Sequence, residues 1–248
     1  MFPFIQVGPL SLQSRGLILI LTAWIASTVF EHAAPQSGIK REEASSLSFL
    51  AFIVLIVAAR IGYIMQYLPV YLSMPQAALA LDANTLSWPI GLAAMVAVCY
   101  GRIRRRHLSL LGVLDALAMG LPFIAAGLAL ANLASGDGYG APAQLPWSIT
   151  LWGASRQPTQ IYELIAAVGI GIIIWRIKPT REGQRFSIFV ALYAGSRLFL
   201  EGFHGDSTIT WGGVRTVQLW SLVILIIAVL LTRRLGQRAS PPHSTGER

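Results

Sequence analysis

The chain has one cysteine, Cys99, in 248 residues, which excludes an intrachain disulfide and a metal site built from cysteines. Charge is also scarce: Asp, Glu, Lys and Arg together make up 12%, against roughly 25% in a soluble domain. The N-terminal stretch "MFPFIQVGPLSLQSRG" has no basic segment ahead of its apolar residues and no small-residue cleavage site. The first apolar run is therefore expected to be retained, not removed as a signal peptide. No internal repeat is visible, which weighs against the inverted-repeat transporter plans. What the chain does have is apolar surface. With 54% hydrophobic residues in long runs, its composition is that of an integral membrane protein.

About 20 apolar residues are needed to cross the hydrocarbon core as a helix. Seven segments approach that length, near residues 12–31, 46–71, 86–101, 109–133, 160–177, 185–203 and 216–232. The third is the shortest and has Pro89 near its start. The reading is an all-α, polytopic membrane protein of seven transmembrane helices. These form a single domain over 1–238, followed by a polar, disordered tail at 239–248. The net charge of +8 does not point to nucleic acid, because the basic residues cluster between apolar runs. Fourteen of the nineteen lie in alternate loops and only Arg15, Arg156 and Arg215 in the others, which places the N-terminus outside and the C-terminus in the cytoplasm. The long outer loop at 134–159, rich in Gly, Pro and Trp, is expected at the membrane surface.

Two basic residues, Arg60 and Arg197, remain inside spans. A charge near mid-bilayer costs about 2.5–3.5 kcal/mol on insertion scales, so each calls for a partner or a wet cavity. Tyr193, Arg197 and Glu201 follow i, i+4, i+8 spacing and share one helical face. Arg60, Tyr63 and Tyr67 follow i, i+3, i+7, Gln160, Tyr162 and Glu163 open the fifth span, and Asn132, Ser135 and Asp137 close the fourth. On the inferred topology all four groups lie toward the outer face. Structural roles stand beside functional ones: Arg197 pairing with Glu201 or Glu163, Arg60 snorkelling or capping carbonyls, the tyrosines packing, and Asp115 supporting the fourth span. A gathering of guanidinium, amide, phenol and carboxylate groups also suits a phosphate-bearing ligand. A lipid headgroup arriving sideways from the bilayer is the obvious candidate.

Five stretches occur in order: "VGPLSL" near the start, "ARIGYIMQY" at 59–67, "NLASGDGYG" at 132–140, "QPTQIYEL" at 157–164 and "YAGSRLFLEGF" at 193–203. Together they resemble the prolipoprotein diacylglyceryl transferases, seven-span enzymes of bacterial inner membranes. The resemblance implies transfer of diacylglycerol from phosphatidylglycerol to the lipobox cysteine of a prolipoprotein, with no metal or other cofactor. It also implies roles for residues. Arg197 matches the family's essential arginine, Glu201 the glutamate one turn later and Tyr193 the tyrosine one turn earlier. Asn132 and Gly140 match the signature asparagine and its closing glycine, and Asp137 stands where the family has a glutamate.

The departures from the family pattern are specific. Its signature arginine falls on Ala129 and the histidine of its His-Gly-Gly motif on Pro89. Its first-span tyrosine falls on Arg15, and a histidine before the fifth span on Gln157. Loss of one charged partner of a desolvated phosphate costs about 2–5 kcal/mol, so Arg15 or Arg60 would have to supply the second positive charge beside Arg197. Glu201, Glu163 or Asp137 would have to act as base. The leading expectation is a divergent transferase acting on phosphatidylglycerol or another anionic phospholipid, with a prolipoprotein signal peptide as acceptor. The rivals are a non-catalytic, lipid-binding scaffold or accessory subunit of a membrane complex, and a small-solute transporter.

Overall fold

The computed structural model describes residues 4–7, 10–76, 85–205, 207–208 and 214–237, with residues 4–7 and 10–12 described by their backbone alone. The polar tail at 239–248 lies outside the described residues. The elements run β1 (Phe4–Val7), β2 (Leu10–Gln13), α1 (Ser14–Ala33), α2 (Arg41–Gln66), α3 (Leu68–Ser73), α4 (Trp88–Arg105) and α5 (Leu110–Ser135). They continue with β3 (Ile149–Leu151), β4 (Ala154–Arg156), α6 (Thr159–Arg176), α7 (Gln184–Leu200) and α8 (Thr216–Gln237). β1 and β2 form one antiparallel hairpin and β3 and β4 another, so among the described residues two short hairpins accompany the helices.

Among the described residues, six helices are long and apolar enough to cross a membrane, by length and composition. The predicted third span is helical as α4, but Arg102, Arg104 and Arg105 fill its last turn and shorten its apolar stretch. The helices turn large apolar side chains outward, with Trp24, Phe49, Met65, Ile165, Phe199 and Trp220 all exposed. Water would not tolerate so much contiguous apolar surface. Lipid supplies the missing partner, and the chain is a polytopic membrane protein.

Helix limits follow local chemistry. α2 starts at Arg41, five residues before the predicted span, because Glu42 and Glu43 in its first turn favour the positive end of the helix dipole. It stops at Gln66 because Pro69 follows and restarts the chain as α3. Ser109 caps α5, its hydroxyl accepting the Gly112 N–H at 3.1 Å.

The chain divides into two compact units, Met1–Phe30 with Leu114–Arg248, and Glu31–Val113. In the second, α4 lies hard against α2: a Cβ on Gly91 would stand 2.6 Å from the Leu55 carbonyl, and one on Gly62 2.7 Å from Ile90. Small residues let these backbones approach, the usual device of helix pairs in lipid. In the first, Ala118, Ile170, Ile174 and Phe189 form the buried core between α5, α6 and α7. Pro122 inside α5 meets Gly171 of α6, and Trp175 donates to the Met119 carbonyl at 3.2 Å one turn away.

Candidate functional site

The i, i+4 spacing on α7 brings the Arg197 guanidinium to Glu201 in the helical turn Glu201–Phe203 that follows it, with Nη2 donating to Oε2 at 3.0 Å. Nη1 of Arg197 pairs with Oε1 of Glu163 in the second turn of α6. One guanidinium thus bridges two carboxylates whose side chains are only 15% (Glu163) and 3% (Glu201) exposed. Glu201 has further support: Ser207 donates to its Oε1 at 2.7 Å, and Arg215 donates to its backbone carbonyl.

A cavity of about 200 Å³ opens beside this cluster. Its polar lining is Arg15, Asn132, Glu163, Tyr193, Ser196 and Arg197, and its apolar lining includes Leu128, Ala166 and Leu200. The guanidinium has five N–H donors and spends two on carboxylates. Arg197 therefore keeps donors for a third, anionic partner.

The other candidates fall in different places. Arg15, in the first turn of α1, pairs with Asp137, which also accepts from Ser135 at 2.9 Å. Asp137 and Glu201 touch the cavity only through their arginine partners. Gly140 is not part of its lining and is packed where a Cβ would strike the Gln157 backbone. Tyr193 stacks on Phe189 at 5.8 Å and lines the cavity. Arg60 belongs to the other compact unit, where it is buried, donates to the carbonyl and hydroxyl of Thr85, and lies over the Tyr71 ring at 5.6 Å. Pro89 opens α4, within that same unit. Ala129 is 2% exposed on α5.

The segment after α5 is held by many small contacts. Thr159 Oγ1 donates to the Gly138 carbonyl at 2.7 Å and Gln160 Nε2 to the Asp137 carbonyl at 2.8 Å. Gly140 bridges antiparallel to His204, and Ala141 N–H bonds the Phe203 carbonyl at 2.8 Å. These contacts hold the loop after α5, which carries Asp137, relative to the turn that carries Glu201.

They also position a residue that the sequence reading passed over. His204 is buried, with Nε2 3.4 Å from Glu163 Oε1 and Nδ1 3.3 Å from the Leu200 carbonyl. Both ring nitrogens face acceptors, which is the environment of an imidazolium. Burial alone would lower its pKa. The bond and charge of Glu163 and the Leu200 carbonyl outweigh burial, Arg197 opposes them, and the net value lies above the ordinary 6.5. A histidine whose folded pKa is raised stabilises the fold fully below its unfolded pKa, and that contribution is lost as pH rises through the folded value. Thermal unfolding in detergent should therefore show the melting temperature falling as pH climbs above 6.5, a decline that His204→Gln removes. A flat wild-type profile over that window would overturn the assignment.

Helices made for lipid, with a buried arginine–carboxylate cluster beside a mixed polar and apolar cavity, place the chain among polytopic membrane proteins with an internal polar site. Residues 3–233 match the prolipoprotein diacylglyceryl transferase family, and the chain belongs to it. It is similar to the phosphatidylglycerol–prolipoprotein diacylglyceryl transferase of Finegoldia magna, 28% identical over 222 residues that cover 87% of this chain and 88% of the relative. It is also similar to the enzymes of that name from Clostridioides difficile, at 25% identity covering 87% of each chain, and Vibrio atlanticus, at 26% covering 92% of this chain and 88% of the relative. It is thus a multi-pass membrane protein of a bacterial family.

Proposed function

We propose that this protein transfers the diacylglyceryl group of phosphatidylglycerol to the lipobox cysteine of a prolipoprotein. It would do so in the bacterial cytoplasmic membrane, with seven spans, an outer N-terminus and a cytoplasmic C-terminus. The observation that carries this reading is the cavity in which Arg197 meets an apolar wall. Phosphate would take the remaining guanidinium donors, with Asn132 as a neutral partner, and the glyceride would lie along Leu128 and Leu200.

In the reaction the thiol loses its proton and sulfur attacks the terminal glyceryl carbon. The C–O bond to phosphate breaks, and glycerol phosphate leaves with its electron pair. Of the three candidate bases only Glu163 lines the cavity. Its Oε1 takes both Arg197 and His204, which leaves Oε2 as the acceptor for the thiol proton. Glu201 and Asp137 are then supports for Arg197 and Arg15. Arg15, although tied to Asp137, is the cation within this cavity that supplements Arg197 in place of the family arginine at Ala129.

One observation favours a second reading, a lipid-binding scaffold or accessory subunit without turnover. Both cavity arginines are already paired with protein carboxylates, so phosphate binds against competition. Membranes containing the protein, incubated with phosphatidylglycerol and a lipobox peptide, decide between the two. The transferase reading expects a thioether-linked diacylglyceryl peptide. Retained phospholipid with no thioether product, under conditions where the Finegoldia magna enzyme works, would overturn it in favour of the scaffold.

A further inference from the structure

The β3–β4 hairpin sits between two helices able to span a membrane, α5 and α6, and has an unusual composition. Residues 143–155, "AQLPWSITLWGAS", contain no charged side chain. Leu145 is exposed, and Trp147 and Trp152 are 58% and 68% exposed. In water such a loop would be a liability.

The backbone is equally informative. Leu151 pairs with Ala154, leaving Trp152 and Gly153 as a two-residue turn with φ of 54° and 73°. Two consecutive positive φ angles mark a turn that ordinarily carries Asn-Gly, Asp-Gly or Gly-Gly. A bulky residue at the first position is strained by about 1–2 kcal/mol. Something must offset that strain, and inside the protein the ring has few neighbours.

The indole N–H groups are nevertheless satisfied. Trp147 Nε1 donates to the Tyr162 hydroxyl at 2.8 Å, and Trp152 Nε1 to the Gly136 carbonyl at 3.1 Å. The hairpin's nearest charge, Arg156, is at its base. Its guanidinium lies 4.5 Å over the Tyr139 ring and its Nε donates to the Leu151 carbonyl at 3.2 Å. The polar groups of this segment are therefore satisfied within the protein while Leu145, Trp147 and Trp152 stay exposed, the amphipathic arrangement of a group resting in the headgroup–acyl boundary.

We infer that this hairpin is a membrane-interface anchor. Leu145, Trp147 and Trp152 insert into the lipid boundary. Through the Trp152–Gly136 bond they set the depth of the Gly136–Gly140 loop, and with it the Asp137–Arg15 pair at the cavity. The inference requires a bilayer but not the transfer reaction, so it survives or fails separately from the proposed activity.

The test is site-directed spin labelling of the full chain in phosphatidylglycerol-containing vesicles, on a Cys99→Ala background. Labels at Trp147→Cys and Trp152→Cys are expected to be severalfold more accessible to oxygen than to a water-soluble nickel chelate, and a control label at the exposed loop position Glu182→Cys the reverse. Trp152→Gly suits the positive φ and keeps the hairpin folded. Combined with the label at 147, it should shift that label toward water. Nickel accessibility at 147 and 152 matching that at 182 overturns the anchor. So does protection that appears only on adding a lipobox peptide, which would make the hairpin an acceptor-docking surface instead.

Discussion

Arg197→Ala is expected to abolish thioether formation and to destabilise the protein by about 3–5 kcal/mol, the usual result of removing one partner from a buried ionic cluster. The geometry explains why both effects come from one substitution. Glu201 is almost wholly buried and Glu163 nearly so, and the same guanidinium bridges them. Without it two carboxylates are left in a largely buried site, with the His204 ring 3.4 Å from Glu163. Arg197→Lys should recover part of the stability and little of the activity, since a point-like ammonium cannot reproduce the planar fork between two acids and a phosphate.

The triple substitution Arg197→Gln, Glu163→Gln, Glu201→Gln separates the two roles. Removing the carboxylate charges with the guanidinium should restore stability to within about 1–2 kcal/mol of wild type, because the glutamine set strands no buried acid and His204, no longer facing a carboxylate, can release its proton. Turnover should stay absent. Thermal unfolding in micelles reads the first quantity and mass detection of the lipidated peptide the second. An alanine variant that melts with the wild type would mean the cluster is not structural. One that also keeps turnover would remove Arg197 from the proposed mechanism.

The sequence makes the helices legible because each is an apolar run, and lipid demands little else of a span. What it hides are pairings made across long separations. Arg15 and Asp137 each stand out in the sequence as candidate phosphate-site residues, but nothing local shows that they pair across 122 positions. Arg60 announces itself as a charge inside a span, while its partner Thr85 lies in the connection before α4. His204 sits three residues past Glu201, in extended backbone just beyond the helical turn. Its significance depends on Glu163, which only folding brings near. The β3–β4 turn was obscured for a different reason: tryptophan occupies the position where asparagine, aspartate or glycine would have signalled it.

The three carboxylates proposed as bases could not be ranked by spacing, since each simply stands at the edge of an apolar run in the sequence. Packing ranks them. Glu163 lines the cavity, whereas Glu201 is turned into Arg197, Ser207 and the Arg215 turn. The same holds for Ala129. Its burial means that restoring the family's arginine at that position would force a long charged side chain into packed helix surface.

The second large effect is expected far along α7 from the cluster. Asp115→Ala should lower stability by about 3–6 kcal/mol, from the loss of two hydrogen bonds to a charged acceptor worth about 1.5–3 kcal/mol each. α7 has no cap of its own. Gly183 precedes it in the left-handed region at φ 85°, with no side chain to offer, and its first turn contains no acidic residue. Asp115 of α5, buried, supplies both functions from a neighbouring helix: Oδ2 accepts the Gly183 N–H at 2.7 Å and Oδ1 the Phe186 N–H at 2.8 Å. A carboxylate at the positive end of the helix dipole gains further from its charge. Asp115→Asn should fall between wild type and alanine, because one amide oxygen replaces two acceptors and the NH2 group confronts a donor. Since α7 carries Arg197 toward its far end, the alanine variant should also lose turnover in proportion to its unfolded fraction, and regain it on cooling. Arg197→Ala should not regain turnover under the same treatment. Unfolding of Asp115→Ala indistinguishable from wild type would show that the α7 start is held by packing alone.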